Sequence, residues 1–442
     1  MAKTKKEQVS EVVSVNPIEA SELIKHCMKH KSPVMVWGPP GIGKSDIVFQ
    51  IGESYKEVDE DGNILKPARP IIDIRLLLHD PTDLKGMPYF DFNEGRMKWS
   101  QPSELPMVVS WEQVVEAEEE AAKFQTLLKD EMKKETPNLS YLGDLRKEAN
   151  ALQNKANLYR GAWGLQNAII FLDELVAAPQ TVQGAAYQLI LNRKIGEYTL
   201  PAGVDIVAAG NRETDRGVSF RMPKPLQNRF IHLSLESSFE DWRKWAIHAG
   251  VQPDVIGFLQ QNPQHLFNFD PKSASNAFPT PRSWKKLSDI LCDQFTGDAF
   301  YPLAAGTVGD GMAVEFMAHR KVSTKMPNPL DIIMGVHKEK LKVQEISALY
   351  SLVISMSYRL NEKYLEAVDN AKGKKKGNST LTMDQVYQYV ENYFAYLLDN
   401  FQPEMCVLGA KIILNEYKIK FSPKDMKAFR MFYDKYGHLV VG

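Results

Sequence analysis

At 442 residues the chain exceeds one typical domain and has material for two or three buried cores. Its 54 basic and 55 acidic residues leave a formal charge of -1, so no global field draws it to nucleic acid or anionic lipid, and neither is an expected partner. Cys27, Cys292 and Cys406 are far apart and form no C-x-x-C pair, which argues against a disulfide framework and a zinc site. With no secretory leader and no 18-residue apolar stretch, a cytoplasmic protein is expected.

Asn16, Pro17 and Glu19 supply a capping side chain, a proline at the first helical position and a first-turn carboxylate, so a helix is expected toward His30. Lys31-Ser32-Pro33 breaks it. The run Val34-Met35-Val36-Trp37 then leads through Gly38-Pro39-Pro40-Gly41-Ile42-Gly43-Lys44-Ser45 into Asp46-Ile47-Val48-Phe49, which reads as strand, loop and helix. Gly38 with Gly43-Lys44-Ser45 fits G-x-x-x-x-G-K-[ST]. In that motif backbone N–H groups wrap a phosphate, the lysine reaches the outer phosphates and the hydroxyl ligates magnesium. A helix starting at Gly43 aims its positive end at the same anion. ATP and Mg2+ are therefore the expected ligands of Gly38 to Asp46. A tight turn with an incidental Lys-Ser is the plainer alternative, and the flanking strand and helix weigh against it.

Pro70 to Arg75 reads as a second buried strand. The polar loop after it contains His79, Asp80 and Asp83, which carboxylates capping a turn explain better than a metal site. Pro88 to Phe92 and Met97 to Trp99, around Asn93-Glu94-Gly95, form an expected hairpin. From Trp111 to Arg160, apolar residues recur at helical spacing: Trp111, Val114 or Val115, Ala121, Phe124, Leu128 and Met132, then Leu142, Leu145, Ala149, Leu152, Ala156 and Tyr159. Two antiparallel helices follow, with Glu116, Glu118, Glu119, Glu120, Lys123 and Lys129 on outer, solvated faces. The pair is either a self-stabilising insertion or a protruding arm that touches a partner or a neighbouring subunit.

Ala168-Ile169-Ile170-Phe171-Leu172-Asp173-Glu174 is an apolar strand ending in two acids, suited to the middle of a parallel sheet. At its carboxyl end one carboxylate can reach a magnesium ion held by Ser45, and a second can orient or deprotonate water. Gln180 to Leu191 reads as a helix and Gly196 to Pro201 as an edge strand or hairpin arm. Val204 to Asn211 is a strand ending in an amide, followed by Arg212, Arg216, Arg221 and Arg229. Phe230 to Leu235 is a fifth strand. The remainder is largely helical by periodicity, with Pro279 to Trp284 introducing one helix. Ala371 to Asn378 is expected as a lysine-rich loop. Thr382 to Phe401 is an amphipathic helix whose Thr382 and Gln385 are spaced as a capping box.

The order of these features resembles an AAA+ ATPase. Within that superfamily it is most similar to the MoxR branch, on Asp80-Pro81-Thr82-Asp83-Leu84-Lys85-Gly86 with its hairpin, Asp173-Glu174-Leu175 with Ala178-Pro179, Ala208-Ala209-Gly210-Asn211, and Leu226-Gln227-Asn228-Arg229-Phe230. The resemblance spans roughly residues 15 to 290 around the insertion at 111–160. It implies a P-loop α/β domain over 1–240, with a parallel five-stranded sheet flanked by helices, and a helical lid over 241–300. Residues 301–442, beyond the resemblance, are expected as a helical C-terminal region.

It further implies that Lys44 and Ser45 serve the phosphates and metal, Asp173 the metal, and Glu174 the water. Asn211 stands as the sensor 1 amide, Arg282 as the sensor 2 arginine, and Arg229 as an arginine finger acting across a subunit boundary. The family usually has Asp where Asn228 stands, which leaves Arg221 as a substitute finger. A homo-oligomeric, hexameric ring is implied, remodelling a separate client protein, often one with a von Willebrand A domain. A nucleic-acid motor, supported only by Lys372 to Lys376 and the N-terminal lysines, and an ATP-gated structural ring are the competing functions.

Overall fold

The computed structural model describes residues 12–59, 63–102, 104–134, 138–215, 220–272, 275–292, 300–372, 380–422 and 426–440. Lys3, Lys5, Lys6, Arg216 and Lys374 to Lys376 lie outside the described residues. The chain divides into two compact units, Met1–Glu236 and Ser237–Gly442.

In the first unit the strands are β1 (Ser14–Val15), β2 (Val34–Trp37), the small pair β3 (Glu57–Val58) and β4 (Ile64–Lys66), β5 (Ile71–Arg75), the hairpin β6 (Pro88–Asp91) and β7 (Arg96–Trp99), β8 (Ile169–Asp173), the small pair β9 (Lys194–Ile195) and β10 (Tyr198–Thr199), β11 (Asp205–Gly210) and β12 (Ile231–Leu235). The helices are α1 (Pro17–Lys29), α2 (Lys44–Glu53), α3 (Pro81–Lys85), α4 (Trp111–Met132), α5 (Leu139–Gly164), α6 (Gln180–Asn192) and α7 (Lys224–Gln227).

Six strands pair in parallel in the order β1-β12-β2-β11-β8-β5. This corrects the expected five. The extra strand is Ser14 and Val15, paired with Ser234 and Leu235, and two residues are too short to carry a periodic signal. β8 and β11 lie inside the sheet, which is why Ile169 to Leu172 and Asp205 to Gly210 are buried throughout. On one face Met35, Ile170, Leu172 and Ala208 pack with Val182, Ala186 and Leu189 of α6. α1 and α2 cover the other face. This strand order puts the phosphate loop after β2 and the paired acids after β8 at the same carboxyl edge of a parallel sheet, where such sheets bind ligands.

The polar loop after β5 is a capped turn. Asp80 and Asp83 form a capping box on α3, and His79 bridges the Arg75 carbonyl at 2.8 Å and Glu104. Gly86 ends the turn at φ 84°, and a Cβ there would collide with the Ser100 carbonyl, so glycine is required for the hairpin to leave at this angle. The inserted helices are both present, the second running on to Gly164. Their seam is narrow, because it is made mostly of Ala117, Ala121 and Ala156. Trp111 and Met132 are exposed instead, Trp111 lying against Trp163 and beneath Arg160. Glu118 and Glu120 do not face solvent alone. They bridge the helices to Arg160 at 2.7 Å and to Lys155 at 3.3 Å.

The regular elements among the described residues of the second unit are all helices. Phe258, Trp284, Phe300 and Phe316 share one core, so the helices before residue 292 and those after 300 are packed together. Tyr393, Phe394, Leu397 and Phe432 build a second core. The helix Met383–Asn400 carries the expected capping box of Thr382 and Gln385. Pro281–Cys292 is a helix whose first turn is fixed by reciprocal bonds between Thr280 and Ser283, at 2.7 and 3.0 Å.

Candidate nucleotide site

Gly38 to Gly43 connect the carboxyl end of β2 to the first turn of α2. Gly41 and Gly43 have φ of 77° and 104°, a backbone that side chains rarely adopt, and Gly43 is the N-cap of α2. This turns the free N–H groups of the helix start back over the loop, which suits an anion. Ile42 is buried and anchors the loop, while Gly41, Gly43, Lys44 and Ser45 are half-buried and Asp46 is exposed.

Four of the side chains that sequence reasoning assigned to one site, Lys44, Asn211, Ser45 and Asp173, meet there in two pairs. Lys44 Nζ donates to the carbonyls of Gly38 at 2.7 Å and Pro39 at 3.0 Å, and to Asn211 Oδ1 at 2.9 Å. Ser45 Oγ donates to Asp173 Oδ2 at 3.0 Å. The strand register explains the convergence. β11 lies between β2 and β8, so their carboxyl ends present Gly38, Asn211 and Asp173 side by side. A serine hydroxyl and a carboxylate form a hard oxygen pair, the donor type that suits Mg2+.

Glu174 follows Asp173 in a left-handed backbone at φ 56°, unusual for a residue with a Cβ. Its N–H donates to Asp173 Oδ1 at 2.9 Å, and Leu175 rejoins the sheet through a 3.1 Å bond to the Ala209 carbonyl. The twist leaves the Glu174 side chain exposed beside the pair, the kind of strained position found at working sites. On the adjacent strand, Arg75 lies opposite Asp173 in register. Asp73, two residues back, has its pKa raised by burial and then by the charge of Asp173.

Arg229 lies at the opposite edge of the sheet. Ile231 pairs with Val34, so Arg229 precedes the amino ends of the same strands whose carboxyl ends hold the loop. From that level to Gly38 is roughly 20 Å at about 3.3 Å per residue, beyond the reach of an arginine side chain. Arg229, Arg221 and Asn228 are exposed. Arg212 is held by Ser234 and closes a turn through its N–H to Asp215 at 2.8 Å. Arg282 is exposed on Pro281–Cys292, in the second unit. Sequence reasoning missed the link between Trp37 and His232, where Trp37 Nε1 donates to His232 Nδ1 at 2.9 Å. A histidine inside an apolar strand was the available signal.

No family model and no curated protein matches the sequence. Among solved structures, the chain is similar to a putative ATPase from Cytophaga hutchinsonii at 12% identity, over 91% of this chain and 81% of that one, with a TM-score of 0.29. It is also similar to Drosophila ORC bound to DNA at 13% identity, over 94% and 84%, with a TM-score of 0.25. Likeness this weak carries no weight for function. The class is defined by strand order and site geometry: a parallel α/β domain with a phosphate-binding loop at the carboxyl edge of its sheet, followed by a helical region. Among the described residues no helix is long and apolar enough to cross a membrane, and no cluster of three or more His, Cys, Asp or Glu residues could hold a metal.

Proposed function

We propose that this chain is an ATP-hydrolysing, MoxR-like AAA+ ATPase that works as a homo-oligomeric ring, hexameric by family resemblance, and remodels partner proteins. The observation that carries the reading is the meeting of Lys44 with Asn211 and of Ser45 with Asp173 at one edge of the sheet. Phosphoryl transfer to water needs negative charge balanced at the outer phosphates and a water held in line. Lys44 and the loop N–H groups serve the first need. Ser45 and Asp173 would hold Mg2+, which supplies further charge balance when bound. Glu174, exposed and tethered through its own N–H, would orient and deprotonate water, and Asn211, bonded to the lysine, would sense the outer phosphate.

Arg229 is too far from its own loop to serve it, which favours action on a neighbouring subunit, with Arg221 as the substitute. Arg282 is assigned to the sensor 2 role by resemblance alone. A separate client, possibly of the von Willebrand A class, fits the exposed side chains of the β6–β7 hairpin, where Phe92 is 89% and Met97 57% exposed. The test is a mixture. Arg229→Ala subunits are expected to bind ATP without turning it over, as are Glu174→Gln subunits. Mixed, they should recover some activity, because a wild-type acid meets a wild-type arginine wherever the two kinds of subunit are neighbours. Failure of every mixing ratio would remove the shared site. DNA-stimulated turnover that falls steeply with salt would instead favour the nucleic-acid motor.

A further inference from the structure

Trp37 is the last residue of β2, immediately before the phosphate loop, and His232 is the second residue of β12. In register Trp37 lies beside Ser234 and His232 beside Met35, so the indole reaches back down the sheet toward the amino edge. An indole N–H only donates, so His232 Nδ1 must accept it, and the ring proton sits on Nε2. From there it is donated to the Gln227 carbonyl at 2.7 Å. Two residues after Gln227 comes Arg229. The segment between is a tight turn, with Asn228 N–H bonded to the Lys224 carbonyl and Arg229 N–H to that of Leu226, both at 3.1 Å. It is seated by Met222, Leu226 and Phe230, all buried, and by Gln227 Nε2 on the Met222 carbonyl at 2.9 Å.

We infer that His232 is a positioning residue for Arg229: by holding the Gln227 carbonyl it fixes the turn that presents this arginine, and through Trp37 it ties that turn to the strand bearing the same chain's phosphate loop. The inference rests on the proposed action of Arg229 across a subunit boundary. A half-buried imidazole needs a partner for each ring nitrogen, and the second partner here falls on the turn that carries the arginine. Here both ring nitrogens are used, one toward each end of the sheet. Loss of the imidazole leaves the indole N–H and one lone pair of the Gln227 carbonyl unmatched, which loosens the turn without touching the bonds of Lys44 or Ser45.

The experiment follows ATP turnover of the full chain in mixed assemblies. His232→Ala should bind ATP as the parent does and lose turnover at least tenfold, and adding Glu174→Gln subunits should restore it, because these lend an intact Arg229. Trp37→Phe, which keeps the ring but removes the donor, should show a smaller loss rescued in the same way and stands in if His232→Ala does not fold. His232→Gln, able to accept and donate, should retain most activity. The Arg229→Ala mixture is the control. If it recovers and the His232→Ala or Trp37→Phe mixture does not, the residue acts on its own site or only on folding, and the inference is overturned. Unchanged turnover in His232→Ala overturns it as well. If the control fails, the shared-site reading falls and takes this inference with it.

Discussion

The two edges of the central sheet use the same chemical vocabulary for opposite ends. At the carboxyl edge, Lys44, Ser45, Asp173 and Asn211 are half-buried and Glu174 is exposed, so their polar atoms remain open to a ligand. At the amino edge, Asp205 is 3% exposed and is closed off by Arg69 and by Lys31 at 3.0 Å. Lys31 and Arg69 also bind the Gly203 carbonyl, and Arg193 binds those of Pro201 and Val204. Strand direction decides which edge is which. Every parallel strand ends where a loop can turn into a helix start, and that end collects anions. At the other edge the cluster around Asp205 has carbonyls and a buried charge to satisfy. Burial with complete pairing marks a polar cluster built for stability, and partial exposure with spare oxygens marks one built for a ligand.

Substitutions that reverse this division would break it. The largest expected effect is at the carboxyl edge. Glu174→Gln should lower turnover by about 10² to 10⁴, the usual contribution of a positioned general base, while the thermal midpoint and ATP affinity hold. A variant with normal turnover would remove Glu174 from the chemistry. At the amino edge the expected pattern is inverted. Asp205→Ala leaves Arg69, whose side chain is only 14% exposed, with carbonyl partners but no balancing charge, and should cost about 3 kcal/mol of folding stability in denaturant unfolding. ATP affinity of the remaining folded chain should stay the same. A loss of affinity without a loss of stability would show that the two edges are not separate devices.

The carboxyl edge was legible in the sequence because its chemistry is written in short local strings. Gly38 to Ser45 and Asp173-Glu174 each announce a strand end, and parallel topology leaves one place for them to meet. The amino edge was not legible. Lys31, Arg69 and Asp205 are far apart in the chain and follow no motif, and only the pairing of β11 with β2 and, through β8, its nearness to β5 brings them together. The sixth strand was missed because two residues have no period. The seam of the helical arm was only partly right. Its alanines permit a close approach that leaves Trp111 and Met132 outside, although both sit at core spacing. In the second unit, capping rules found the helix starting at Met383, but the aromatic cores depend on contacts among helices that no single-helix pattern reveals.

The smallest effect is expected in that second unit, where a buried polar group lies at neither kind of edge. His319 is 5% exposed among helices. Its Nδ1 meets Ser347 Oγ at 2.7 Å, and its Nε2 meets the Asp254 carbonyl at 3.1 Å and Ser351 Oγ at 3.2 Å. Burial lowers its pKa from the ordinary value. The charge and carbonyl of Asp254 and the charge of Glu345 oppose that shift, and Arg320 adds to it. A histidine whose folded pKa is depressed binds fewer protons folded than unfolded. Its contribution is therefore complete above the unfolded value, near 6.5, and is lost as pH falls from there toward the folded value. Thermal unfolding of the full chain should show this segment losing at most about 1.4 kcal/mol per pH unit in that window, the limit for one proton. His319→Gln should flatten the dependence while lowering stability at pH 7.5. An equally steep acid loss in the variant would assign the effect to other groups.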